Sequence, residues 1–137
     1  MKILGIDYGD RRTGIAISDN SLTLASNYTT IESGHAPKVC DEIIEIIKKE
    51  NVEKLVLGLP LNMDGSEGPR AEKTRIFASM LAEKFDGEII LRDERLTTVS
   101  ATYFLNETDK RGKKRKALVD RIAASIILQG YLDFLKS

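Results

Sequence analysis

Residues 2–19 read KILGIDYGDRRTGIAISD: two apolar runs divided by a charged, glycine-containing turn. KILGIDYG and TGIAISD have the β-branched content and short length of strands, and GDRR is tight enough to join them as a hairpin. NYTTIE, residues 27–32, supplies a third strand, so the chain opens as an antiparallel meander. The first strand ends in an acid, Asp7, on the alternate face it shares with Ile3 and Gly5. A carboxylate at the end of an otherwise apolar strand stands at the rim of a sheet, where it can reach solvent or a ligand. It could also do no more than cap the turn through its own backbone.

After the meander the hydrophobic period changes. HAPKVCDEIIEIIKKEN (35–51) fits a helix, with Pro37 near its start and Val39, Ile43 and Ile47 on one face. KLVLGLP (54–60) reads as a short buried strand and LNMDGSEGP (61–69) as a Gly-rich loop. Pro69 then opens a second helix, in which Phe77 and Leu81 recur before Asp86 and Gly87 stop it. EIILRDE (88–94) is a further strand. TTVSATYFLNE (97–107) predicts a short helix capped by Thr97 or Thr98. A basic loop, Lys110 to Lys116, leads into the last long helix, RKALVDRIAASIILQGYL (115–132). Neighbouring strands favour hairpins, and strands separated by helices favour parallel crossovers. The expectation is an α/β fold, a mixed five-stranded sheet flanked by helices, in a single domain over residues 1–137.

Composition narrows the function. Hydrophobic residues make up 42% of the chain and charged residues 31%, values ordinary for a soluble protein. The N-terminus carries Asp7 and Asp10 where a signal peptide would need an apolar run, and no stretch approaches the ~20 apolar residues that span a membrane. The single cysteine, Cys40, excludes an internal disulfide and a Cys-based zinc site, so a cytoplasmic location is expected, with Cys40 in packing or on an indifferent surface. His35, the one histidine, precedes a helix and suits a surface or capping role better than that of general base.

The net charge is zero, yet six of the 21 basic residues lie in KRGKKRK (110–116), leaving 15 against 21 acids elsewhere. A local basic segment on an acidic body suits contact with a polyanion, because a phosphate backbone releases counterions to clustered cations. Lys113, Lys114, Arg115 and Lys116 are therefore candidates to hold a nucleic-acid backbone without reading its bases. A merely solvated loop is the simpler alternative.

Two further acids join Asp7. Glu94 ends the last strand, while its neighbour Asp93 points to the other face and is not expected at the same site. Asp120 lies in the last helix among Val119, Ala123, Ile127 and Phe134, opposite a polar stripe of Arg121, Ser125, Gln129 and Asp133. An acid on an apolar face must find a cation, donors or a metal, because burying it alone costs several kcal/mol. The small Ala123 and Ala124 would let that helix approach the sheet and bring Asp120 toward the strand ends. Three carboxylates without a Cys or His cluster favour Mg²⁺ or Mn²⁺ over zinc. Such a set suits phosphodiester hydrolysis, with Asp7 bridging two ions and Glu94 and Asp120 each holding one.

The turn GDRRTG and the loop GLPLNMDGSEG have neither P-loop nor dinucleotide-binding spacing. Arg11 and Arg12 could touch substrate or serve only as surface charge. Asn62 and Asp64 sit in a loop that could fold over the site or be purely structural. Tyr8 could stack near Asp7, although the aromatics, Tyr103, Phe104, Tyr131 and Phe134 among them, are better explained as packing.

Four blocks in this order, GIDYGDRRTGIAISD, GLPLNMDGSEG, DERLTTVSA and DRIAASIILQGYL, strongly resemble the YqgF family, also called RuvX, of bacterial RNase H-like nucleases, nearly end to end. The resemblance implies an RNase H-like fold with a mixed five-stranded sheet and assigns the catalytic acids to Asp7, Glu94 and Asp120. Members were first described as Holliday junction resolvases and are also associated with maturation of the 5′ end of pre-16S rRNA. Both substrates are therefore expectations, pre-16S rRNA, in free form or in a pre-ribosomal particle, ahead of branched DNA. Paired cuts in a junction are most easily made by a two-fold dimer. The last helix shows no heptad seam, which favours a monomer over a homodimer. GIDYG followed by TGIAISD also resembles the phosphate-binding hairpin of the actin, Hsp70 and sugar-kinase ATPases, but those need two lobes. A non-catalytic nucleic-acid-binding module is the remaining alternative.

Overall fold

The computed structural model describes residues 1–94 and 112–137, with side chains for 1–94 and 122–137. The helix expected over 97–107 lies outside the described residues, as do Lys110 and Arg111.

In β1 (Lys2–Asp7) successive side chains enter two different cores. Leu4 and Ile6 pack with Val39, Cys40 and Ile43 on one side of the sheet, whereas Ile3 packs with Val56, Ala124 and Leu128 on the other. This follows from the period of two in a strand, and it fixes Gly5 and Asp7 on the Ile3 side. β1 pairs antiparallel with β2 (Thr13–Ser18), which pairs antiparallel with β3 (Ala25–Ile31), forming the expected meander. After α1 (Ala36–Glu50) the chain returns as β4 (Val52–Leu59), parallel to β1; after α2 (Pro69–Ala82) it returns as β5 (Glu88–Asp93), parallel to β4. The described residues thus form one mixed five-stranded sheet in the order β3-β2-β1-β4-β5.

Helices α1 and α2 cover one face. Val39, Ile43 and Ile47 from α1 and Phe77 and Leu81 from α2 are buried there, as their spacing predicts. Each fully buried Leu, Ile or Phe contributes about 1.5–3 kcal/mol by leaving water. Cys40 belongs to this core, and burial pushes its thiol pKa up, so packing is its role. His35 occupies the N-cap of α1 and is exposed, with no side-chain cap bond. The second helix ends at Ala82, four residues before Asp86.

The last helix, α3 (Gly112–Lys136), covers the opposite face and departs from expectation at both ends. It is helical from Gly112, the first described residue of this stretch, so Lys113 to Lys116 are helical residues and not a loop. Straight-chain Lys and Arg lose little rotamer freedom in a helix, so such a run is compatible with one. Its buried face also turns away from the one expected. Ala124, Ile127, Leu128, Tyr131 and Leu132 are buried, while Phe134 is 60% exposed with the Arg92 guanidinium 5.6 Å from its ring centre. The polar stripe is not idle: the Gln129 side chain accepts from Ala25 N at 2.9 Å and donates to Thr23 O at 2.9 Å, fastening the β2–β3 connection to the helix. Among the described residues, no helix is long and apolar enough to cross a membrane.

Candidate active site

Asp7 closes β1, half-buried, with glycine on either side of it. Its partner across the antiparallel pair is Gly14 of β2. On the other flank the parallel register runs to Ile6 opposite Leu57, so Asp7, one residue further on, stands beside Gly58 of β4. Neither neighbour brings a side chain to this face, and the place above Gly58 is taken by Glu94 and Ile127.

Glu94 approaches the same place from β5. Alternation along that strand puts Ile90 in the α3-side core and Leu91 against the other, and it carries Glu94 to the side of Ile90. The Glu94 backbone N–H donates to Leu59 O at 3.2 Å, extending the parallel pairing by one bond. Its Oε2 lies over Gly58, 2.6 Å from where a Cβ on that residue would be. Asp7 and Glu94 are separated by two strand spacings, roughly 9–10 Å between backbones, and Glu94 leans across the intervening glycine into that interval. The two acids therefore share one face and one rim, at the C-terminal ends of three parallel strands. Asp93 stands in register with Leu59 and is exposed, on the α1 and α2 side.

Glu94 is 9% exposed. Burial pushes its carboxyl pKa up, Arg70 nearby pulls it down, and Asp93 adds to the rise. A buried carboxylate is poorly hydrated, which suits it to a cation that would replace the lost water.

The third acid, Asp120, lies in α3 one turn before Ala124, and its side chain lies outside the described residues. What brings this helix to the sheet is visible at Gly5. A Cβ there would stand 2.7 Å from Leu128 Cβ and 2.8 Å from the Ala124 carbonyl oxygen, so helix backbone rests almost directly on strand backbone. The close approach expected from Ala123 and Ala124 is thus made by Gly5 beneath Ala124, with Ala123 only half-buried.

Beside Asp7 opens a cleft of about 470 Å³, lined by the turn residues Tyr8 to Arg12, by Gly14 and by Arg70. The Tyr8 ring stacks on Phe77 of α2 at 4.0 Å, with planes 10° apart. Lys73 of α2 reaches Asp10 at 3.3 Å, and Arg12 lies 3.9 Å from Glu32. Arg11 and Arg12 are both exposed at the cleft. Arg70 escaped the sequence reading, because an exposed Arg just after a helix-opening proline carries no distinguishing spacing.

Asn62 is engaged within its own loop. Its amide donates to Ser66 Oγ at 3.0 Å, its backbone N–H donates to Ser66 O at 2.9 Å, and Gly65 turns with φ 89° between them. Asp64 accepts from Ser66 N at 2.9 Å and Oγ at 2.6 Å. The loop folds on itself at the end of β4, with Asn62 packed near Gly68 ahead of α2.

Among the described residues, no group of three or more His, Cys, Asp and Glu forms a metal site. Asp7 and Glu94, on one face and one rim, are hard oxygen donors of the kind that suits a divalent ion of the magnesium type.

A mixed sheet in this order, layered between helices and carrying acids at its C-terminal rim, defines an RNase H-like α/β protein. The chain belongs to the RuvX family, whose description is Holliday junction resolvase and whose family model matches residues 1–134. The "Putative pre-16S rRNA nuclease" of Halothermothrix orenii is 49% identical over 138 residues, covering 98% of this chain and 96% of that protein. A protein of the same description from Clostridium botulinum is 47% identical over 135 residues, covering 98% of each. Among solved structures, Thermus thermophilus RuvC in complex with Holliday junction substrate superposes with a TM-score of 0.60 at 10% identity, over 98% of this chain and 96% of that one. The fowlpox virus resolvase bound to Holliday junction DNA gives 0.54 at 13% identity over the whole of both chains. At such identities the likeness is one of fold.

Proposed function

We propose that this chain is a divalent-metal-dependent nuclease that processes the 5′ end of pre-16S rRNA during ribosome biogenesis, as a cytoplasmic, single-domain monomer. The observation that carries the reading is that Asp7 and Glu94 share one face and one rim, with Glu94 leaning over Gly58 between their strands. Asp120, from α3, is the third member of the set. These carboxylates would hold Mg²⁺ or Mn²⁺, which supplies an activated water and stabilises the departing 3′-oxygen. Asp7, at the end of β1, and Glu94, largely buried on the same face, would supply anionic oxygens to that ion. The basic start of α3 would hold the flanking backbone. Support for an rRNA precursor, free or in a pre-ribosomal particle, comes from the description shared by relatives at 43–49% identity.

Junction resolution is the second reading, favoured by the family description and by the RuvC fold. The experiment is a side-by-side assay of a precursor rRNA fragment and a synthetic four-way DNA junction, with Mg²⁺ or Mn²⁺ and with Asp7→Asn as control. Trimming of the RNA alone, lost in the control, is the expected result. Paired symmetric cuts in the junction with no RNA processing would reverse the order. Tight RNA binding without cleavage under either cation would instead make the chain a non-catalytic binding module.

A further inference from the structure

The cleft beside Asp7 contains a cation that the proposed chemistry does not use. Helix α2 is set against the β1–β2 turn by two contacts from one side: Phe77 stacks on Tyr8, and one turn earlier Lys73 pairs with Asp10 at 3.3 Å. Arg70 is one further turn back, at the spacing of three and four that keeps residues on one helix face. It therefore stands at the rim, facing the turn, where it lines the cleft with Asp7 and Arg11 and lies close enough to Glu94 to act on its charge. The other charges of the cleft are answered locally, Asp10 by Lys73 and Arg12 by Glu32. Arg11 and Arg70 make no ion pair among the described residues. Both arginines line the one cleft, next to the proposed reacting centre and on the far side of the sheet from α3.

We propose that Arg70, with Arg11 in the same cleft, binds the backbone phosphate adjacent to the one that is cleaved. The inference rests on the phosphodiesterase reading and adds a subsite to it. A planar guanidinium matches two phosphate oxygens at once, whereas the neighbouring acids repel the same group. The strand then crosses the rim from the α3 face to the α2 face, with its scissile linkage at Asp7 and Glu94 and its next linkage at the two arginines. Arg70 is a positioning residue, felt in affinity more than in the chemical step.

The test uses one cleavable RNA oligonucleotide in which single linkages are replaced in turn by neutral methylphosphonates, each with a 2′-O-methyl ribose on its 5′ side to keep it intact. Cleavage is measured with native Arg70 and with Arg70→Gln and Arg70→Lys; binding is measured with the same three residues in the Asp7→Asn background. Arg70→Gln should raise KM and Kd about tenfold with kcat changed less than about twofold, and Arg70→Lys should recover part of the loss. At one linkage next to the cut, neutralisation should cost native protein a similar factor and cost Arg70→Gln nothing more. Additive losses at every linkage, or a fall in kcat at constant KM, would overturn the subsite. A protein that cleaves nothing yet shows the paired loss in binding keeps the subsite and refutes the hydrolase reading. Cleavage without any paired loss does the opposite. Arg70 is exposed, so its replacement leaves the fold intact.

Discussion

Glu94 lies over Gly58 so closely that its Oε2 is 2.6 Å from the position a Cβ on that residue would occupy. Ile127 Cδ1 stands at the same distance from that point. Both are ends of flexible side chains, so Gly58→Ala should fold at a cost of about 1–3 kcal/mol as they move aside. The moved carboxylate is the larger effect. A displacement near 1 Å in a reacting geometry can cost on the order of 100-fold, and cleavage by Gly58→Ala should fall by about that much. Native rates from a folded Gly58→Ala protein would show that the position of Glu94 does not matter to the reaction.

Gly5 gives the opposite balance. A Cβ there meets the Ala124 carbonyl and Leu128 Cβ, atoms that move only if α3 moves. Gly5→Ala should therefore lower stability by about 2–3 kcal/mol, read as a lower urea midpoint, although it lies a full residue pair further from the rim than Asp7. An unchanged midpoint would mean that α3 is not seated on β1 as described.

Such contrasts explain what could be read beforehand. The sheet, α1 and α2 were legible because alternation along Ile3 to Asp7 and the 3.6-residue spacing of Val39, Ile43, Ile47, Phe77 and Leu81 are local patterns. The shared face of Asp7 and Glu94 was legible for the same reason, since parity along two parallel strands decides it. Glycines within strands carry no such sign: that Gly5 seats a helix and Gly58 admits a carboxylate is decided by neighbours far away in the chain. The buried face of α3 was misjudged at Phe134 because an aromatic near a helix end can be covered from outside by a cation, here Arg92, as well as from within. Arg70 was invisible because its position depends on α2 being pinned to a turn about 60 residues earlier.

The raised pKa of Glu94 predicts a pH-dependent stability. The folded state keeps the proton at a pH where the unfolded chain has released it, so the wild type loses stability as pH rises from the ordinary glutamate value through the raised one. Each pH unit between the two corresponds to about 1.4 kcal/mol. Glu94→Gln is neutral throughout. In chelator its Tm should exceed that of the wild type at pH 7–8, and the gap should narrow as pH falls from the raised value to the ordinary glutamate value. A gap that stayed constant or widened on acidification would place the cause elsewhere than in the Glu94 charge.

The helical start of α3 changes what its basic segment can do. Four consecutive positions in a flexible loop could all follow one strand of phosphates, whereas Lys113 to Lys116 in a helix span about 300° of turn. Only about two of the four can then face the same backbone. Replacing all four by Gln should flatten the salt dependence of RNA binding by about two phosphate equivalents, not four. Gln keeps a straight-chain helix former at each position, which keeps the variant folded. Binding to unrelated sequences should weaken alike, because backbone contacts carry no base information. A reduction by four would return the segment to an extended strap, and an unchanged slope would remove it from the interface.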